Sequence, residues 1–342
     1  MKGNIIKRMV ESVKRKGVSG FLKSAAADLL EEISGFLVSM RDHNSSYRFV
    51  DRGEGKKSLV IVLVGYKSYL WPATLTRIHN NQPNDADVCL ASAGICSTVL
   101  SELCVRNGWS YLSVKRNSPG VAINKAVLLH PNADYIYKLD EDVFVSNDYF
   151  SRLRIGYDSA WKSSMLEPGF VAPVLNVNGV SYRIMLREFN LEKSYQERFG
   201  QLISRCSDLP VHNDPNASWW LWKNTLPFDQ KAERLAESVD LYSVCSTRFS
   251  IGAILFRREF FDKVGGFKSA WHSGVLGVDE DFFCRDCVSE SRPMYIINSV
   301  LAGHFSFYPQ EAFMIEKLPE LSNLDPKTFP GIHYGKPLGK FS

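Results

Sequence analysis

Between residues 58 and 144 four apolar runs of strand length alternate with three segments of helical spacing. SLVIVLV at 58–64 carries no charge, and a continuous rather than alternating apolar run marks a strand covered on both faces. LWPATLTRIHNN (70–81) reads as a helix opened near Pro72, and DADVCLASAG (85–94) as a second strand. STVLSELCVRNG (97–108) reads as a helix capped by Ser97 and stopped by Gly108. SYLSVKRN (110–117) is a third strand, VAINKAVLLHP (121–131) a helix, and ADYIYKLDEDVF (133–144) a fourth strand. This alternation predicts a doubly wound α/β domain with a mostly parallel central sheet flanked by helices. In such sheets ligands bind outside the carboxyl ends of the strands.

The rest of the chain is read around that core. Residues 1–45 predict a basic amphipathic helical extension, because between residues 1 and 24 Lys2, Lys7, Arg8, Lys14, Arg15, Lys16 and Lys23 stand against a single Glu11 and the apolar residues recur at helical spacing. Such a helix either lies on an anionic membrane, here through residues 1–40, or packs on the protein's own core with its basic face in water. Residues 46–57 read as a linker, 58–310 as the catalytic domain with 151–250 as an insertion on its donor and acceptor side, and 311–342 as a tail. Within the insertion, 169–179 reads as a strand and turn, 187–206 as a helix and the Trp-rich 213–228 as a loop. Residues 248–267 read as strand, helix and glycine stop.

A net charge of only +4 argues against a nucleic-acid partner. Seven cysteines, an odd number at irregular spacing, predict a reducing compartment, and the Cys284–Cys287 pair lacks the second pair a zinc site wants. No run approaches the roughly 18–20 apolar residues of a membrane span. The expectation is therefore a cytoplasmic protein, peripheral at the inner face of the membrane if the N-terminal helix binds there.

Three carboxylates, Asp140, Glu141 and Asp142, crowd the end of the fourth strand. In an extended chain Asp140 and Asp142 share one side and Glu141 takes the other. Two carboxylates so placed either hold a hard divalent cation or pair with a lysine such as Lys138. A second acid cluster, Asp279, Glu280 and Asp281 in GVDEDFFCRD, opens a predicted helix and suits either helix capping or general-base work. His304 follows an apolar strand in VLAGHFSF and is a candidate imidazole ligand. Trp219, Trp220 and Trp222 are read first as anchors of an irregular segment and second as sugar-stacking groups. Trp271 and His272, close to the second acid cluster, are better acceptor-side candidates.

From residue 58 to 308 the sequence resembles inverting GT-A glycosyltransferases, close to glycosyltransferase family 2. The resemblance is carried by VGYK at 64–67, NSPGVAINKA at 117–126, KLDEDVF around Asp140, IGAILFRREFFDKVGGF at 251–267 and VDEDFFCR at 278–285. It implies a GT-A, Rossmann-like fold and transfer of a sugar from a nucleotide-sugar donor to a hydroxyl of a glycan or lipid-linked acceptor, in surface polysaccharide synthesis. It further implies donor contacts from Tyr66, Asn117, Gly120, Asn124, Asp140, Gly252 and Arg258. Mn2+ or Mg2+ would be held by Asp140, Asp142 and His304. By register with Arg285, Asp279 becomes the general base, with Asp281 next. Glu280, Arg285, Trp271 and His272 fall on the acceptor side.

The second strand departs from the family pattern. Ala91, Ser92 and Ala93 stand where an acidic DDGS or DNGS stretch is usual, and Ile123 replaces an arginine, so nucleobase recognition differs. The alternatives are a sugar nucleotidyltransferase, for which VGYKSYLWP lacks a glycine-rich basic triphosphate loop, and a non-catalytic saccharide-binding protein on a degenerate transferase scaffold.

Overall fold

A computed structural model describes residues 37–330, apart from 273, 274 and 276, together with 15, 19, 33 and 35. Among the described residues ten strands form one mixed sheet flanked by helices. They are β1 (Tyr47–Val50), β2 (Ser58–Leu63), β3 (Ala86–Ala93), β4 (Ser110–Val114), β5 (Tyr135–Asp140), β6 (Val143–Val145), β7 (Phe170–Leu175), β8 (Tyr242–Cys245), β9 (Ala253–Arg257) and β10 (Met294–His304). The order is β1-β4-β3-β2-β5-β9-β7-β10-β6, with β8 also on β10. The predicted parallel core is the block β4-β3-β2-β5. β9 runs antiparallel between β5 and β7 and joins this block to a second parallel pair, β7 and β10. Leu59, Val60, Ile61 and Val62 of β2 are wholly buried, as the uninterrupted apolar run requires. The helix Thr98–Asn107 has the expected ends. Ser97 Oγ accepts the Leu100 N–H at 3.3 Å, and Gly108 closes the helix at φ 67°.

Several boundaries differ from the sequence reading. The expected linker contains β1, which pairs antiparallel with β4 and closes that edge of the sheet. The expected tail is part of the body up to residue 330. Phe329 is fully buried, its ring 4.8 Å from Phe144 and 5.3 Å from Trp222, and Asp325 Oδ2 accepts the Phe228 N–H at 2.9 Å. The expected insertion begins inside the main sheet, since β7 lies between β9 and β10. Its single long helix is instead two, Tyr182–Glu188 and Glu192–Phe199, broken where Asn190 takes φ 59°. The Trp-rich loop is the helix Pro215–Asn224. Asp214 caps it by accepting the Asn216 N–H at 2.8 Å, and Pro215 occupies its first turn. The same letters, NDPN, read as a turn because cap and turn use the same residue types.

Most of the basic N-terminal extension lies outside the described residues. Its end at 37–43 is helical and tied to the domain: Arg41 donates to the Ala270 and Trp271 carbonyls at 3.1 and 2.5 Å, and Asp42 pairs with Arg116 at 3.3 Å. Among the described residues no helix is long and apolar enough to cross a membrane.

Candidate active site

β5 ends at Asp140, the chain turns at Glu141 and Asp142, and β6 leaves toward β10. The three acids therefore diverge more than simple alternation implies. Glu141 is buried and turned back to the bend that follows β2. It accepts the backbone N–H groups of Gly65 and Tyr66, both at 2.8 Å, and the indole N–H of Trp71 at 2.6 Å. Burial pushes its carboxyl up, against these three donors. Gly65 is required in this bend, for its φ is 146° and an added Cβ would lie 2.2 Å from Ile95 Cδ1.

Asp142 and His304 meet through strand register. β10 pairs antiparallel with β6 so that His304 faces Val143, next to Asp142, and the Phe305 N–H donates to the Asp142 carbonyl at 3.0 Å. His304 Nδ1 lies 2.8 Å from the Val177 carbonyl oxygen, which can only accept, so Nδ1 carries a proton. Nε2 then faces Asp142 Oδ2 at 3.5 Å. In the charged ring Nε2–H points its proton at this oxygen, and in the neutral ring its lone pair and the carboxylate oxygen converge on the same space. Asn176 fixes the backbone by accepting the His304 N–H at 2.9 Å, and Trp222 donates to the His304 and Phe305 carbonyls. The third group is Lys67, whose Nζ lies 2.6 Å from the same Oδ2. Burial pulls the Asp142 carboxyl upward, but Lys67 and His304 override it and hold the group below the ordinary carboxylate range.

Asp140 has its own cation. Lys138 Nζ donates to Asp140 Oδ1 at 2.7 Å and to the Ile251 carbonyl at 2.7 Å. Burial outweighs Lys138, and with the neighbouring Asp142 it holds the Asp140 carboxyl above its ordinary value. Gly252 adjoins this acid: its carbonyl accepts the Asp140 N–H at 2.8 Å, and an added Cβ would stand 3.3 Å from Oδ2. At the ends of β3 and β4, the exposed Tyr66 donates to the Ala93 carbonyl at 2.7 Å and reaches Asn117 Oδ1 at 3.1 Å. Tyr66, Asn117, Gly252 and the two aspartates thus share the carboxyl-terminal edge of the parallel block. Asp140 is turned to Lys138, and among the described residues no three His, Cys, Asp or Glu side chains converge as a metal-binding group.

The second acid cluster opens the helix Val278–Ser289, beside this edge. Glu280 Oε2 accepts the Ile251 N–H at 3.3 Å, one residue from Gly252. Arg248 bridges two of the acids, at 2.5 Å to Glu280 and 2.8 Å to Asp281. Burial raises the Glu280 carboxyl in spite of Arg248. Asp279 is half-buried and makes no hydrogen bond or ion pair among the described residues. Gly120, at the start of the helix Pro119–Leu129, packs against it; an added Cβ would lie 3.5 Å from Asp279 Cβ and 3.0 Å from the Lys268 carbonyl. Behind the helix, Val278 and Phe282 join Val121, Phe267 and Trp271 in lining a cavity of about 780 Å³ whose lining includes Asp42 and Asp262 but not Asp279, Glu280 or Asp281.

Some expected site residues have other work. Arg258 donates to the carbonyls of Val127, His130 and Ala133 near the amino end of β5, at the opposite end of that strand from Asp140. Asn124 clamps both backbone groups of Phe267, at 2.8 and 2.9 Å. Arg285 lies over Phe282 of its own helix. Trp222 is a core anchor, and Trp219 and Trp220 are largely covered. Trp271 is 53% exposed, though its face is shared with Arg41, and His272 is exposed beside the undescribed residues 273 and 274. Lys67, Trp71 and Arg248 were not singled out by the sequence. Of these only Lys67 left a signal, as the last residue of the VGYK turn.

No family model matches the chain, and no curated protein does. Among solved structures it is similar to GalNAc-T7 with UDP, GalNAc and Mn2+, at 11% identity and TM-score 0.42, over 74% of this chain and 44% of that one. The chain thus spans less than half of that protein. It is also similar to the mannosyltransferase PcManGT from Pyrobaculum calidifontis in complex with GDP-Man and Mn2+, at 13% identity and TM-score 0.43, over 91% of this chain and 78% of that one.

Proposed function

We propose that the protein is a GT-A-type glycosyltransferase, moving a sugar from a nucleotide-sugar donor to a hydroxyl of a glycan or lipid-linked acceptor with inversion. The observation that carries this reading is the pairing of two unlike acid groups at one sheet edge. Asp140 and Asp142 are surrounded by Lys67, Lys138 and His304, a setting built to manage charge. Asp279, on the facing helix tip, is the one acid of its cluster with no partner among the described residues.

Mn2+ or Mg2+ fits Asp142 and His304 as a carboxylate–imidazole pair, with remaining positions left to water and phosphate oxygens. Bound there, the ion would supply Lewis-acid stabilisation of a departing diphosphate. Lys138 holds Asp140 in place beside Gly252, whose missing side chain leaves room for a sugar ring. Tyr66 and Asn117 offer a ring face and an amide to the nucleoside. With Ala91, Ser92 and Ala93 at the end of β3, the base is met by backbone and neutral groups. Asp279 takes the acceptor's proton as its oxygen attacks, and a single displacement inverts the anomeric carbon. Glu280 and Asp281 fix the helix tip through Arg248. Surface polysaccharide synthesis at the membrane face is the setting that suits such a donor site joined to a basic N-terminal extension.

The test is donor turnover with a panel of nucleotide sugars, with and without Mn2+, on wild type and Asp279→Asn. At least one donor should be consumed in a metal-dependent way. The variant should still bind that donor and lose turnover. Binding of free sugars with no donor turnover would favour the saccharide-binding alternative.

A further inference from the structure

We infer that Lys67 is a built-in counter-cation that occupies the metal's place at Asp142 and yields it only when a diphosphate arrives, so that metal and nucleotide bind as one coupled event. This rests on the donor-site reading above and adds the order in which the site fills. Three features carry it. Lys67 Nζ, at 2.6 Å, and His304 Nε2, at 3.5 Å, address the same Asp142 oxygen, Oδ2. An ion coordinated by that oxygen and by Nε2 would meet the ammonium at close range, so the two cations exclude each other. Asp140 is already matched by Lys138 at 2.7 Å, so a bare divalent ion finds no uncompensated carboxylate to draw it in. Finally, the backbone of the bend is pinned by side-chain hydrogen bonds, while the Lys67 side chain is held at its tip by the Asp142 ion pair. Glu141 fixes the amides of Gly65 and Tyr66, whereas the Lys67 side chain keeps 19% of its surface exposed on a flexible four-carbon stem.

A nucleoside diphosphate changes this balance on both sides. Its phosphate oxygens give Lys67 a new anionic partner, and they complete the coordination that Asp142 and His304 begin. Lys67 would then lend its charge to the leaving group. No bond is made or broken in this exchange of ion pairs.

The experiment is a Mn2+ titration followed by electron paramagnetic resonance on the full chain, without nucleotide and with UDP or GDP, for wild type, Lys67→Met and Lys67→Arg. Wild type should bind Mn2+ weakly alone and about tenfold or more tightly with a nucleotide it accepts, and by reciprocity Mn2+ should tighten that nucleotide equally. Lys67→Met should bind Mn2+ without nucleotide more than about threefold tighter than wild type, with the nucleotide effect reduced. Lys67→Arg keeps the charge and should behave as wild type. A folded Lys67→Met protein, checked by its thermal transition, whose Mn2+ affinity is unchanged or weaker overturns the inference while leaving the donor site standing. If no variant binds Mn2+ or nucleotide at all, the donor-site reading fails and takes this inference with it.

Discussion

The two acid clusters contain three carboxylates each, yet the fold treats them in opposite ways. At the end of β5 every acid is individually answered: Asp140 by Lys138, Asp142 by Lys67 and His304, Glu141 by two backbone amides and an indole. At the start of the helix Val278–Ser289 one arginine answers two acids, and Asp279 is left over. The first arrangement pairs its charges one against another, and removing Asp140 or Asp142 leaves its lysine without a carboxylate. The second leaves one carboxylate, Asp279, without a partner among the described residues, half-buried at a helix tip that water can reach. A site for charge neutralisation and a site for proton abstraction need these two environments.

The comparison is broken most severely by Asp142→Asn. It removes the partner of both Lys67 and His304, and donor turnover should fall by about 10³-fold or more, as for loss of a principal electrostatic group. Asp279→Asn should lower kcat by roughly 10²–10⁴-fold, the range of general-base catalysis, with donor affinity within about twofold of wild type. An equal loss of donor affinity would show that Asp279 belongs to the first cluster's work. Glu141→Gln should raise the donor KM by about tenfold with a smaller change in kcat, because it loosens the bend that carries Tyr66 and Lys67 without touching reacting atoms. Asp281→Asn should change either constant by less than about twofold, since Glu280 still holds Arg248.

Acid titration separates the two aspartates within the first cluster. Asp142 has a depressed folded pKa, so its contribution to stability is present above its unfolded value of about 3.9 and is lost as pH falls toward the folded value. Asp140 has a raised folded pKa, so its contribution is present below the unfolded value and is lost as pH rises through the folded one. Thermal melts between about pH 3 and pH 6 should therefore show a smaller gain in Tm with pH for Asp142→Asn than for wild type, and a larger gain for Asp140→Asn. Parallel curves for the two variants would contradict the assignment of the lysines.

What the sequence reveals and conceals follows the same division. The strands β2 to β5 and their helices were legible because their apolar runs and caps are local signals. β1 was not, because YRFV is a short edge strand whose only demand is hydrogen bonding to β4. Phe329 was not, because its burial depends on Phe144 and Trp222, far away in the chain. The acids themselves stood out, and so did the choice between a lysine and a metal beside them. The answer for Asp140 was within reach, since Lys138 is two residues away on the same strand. For Asp142 it was not, since Lys67 reaches it only through the parallel pairing of β2 with β5. Arg258 and Asn124 were misplaced for the opposite reason: each sits in a motif whose geometry the fold needs for packing, and their side chains hold backbone groups.

The most direct measurement is calorimetric binding of a nucleotide-sugar panel to wild type and Asp142→Asn, with and without Mn2+. The expected result is that at least one donor binds wild type, that Mn2+ strengthens it, and that Asp142→Asn weakens it by about 100-fold or more. If no donor binds, or if a donor binds Asp142→Asn as tightly as wild type and without regard to Mn2+, the acids at the end of β5 do not form a donor site.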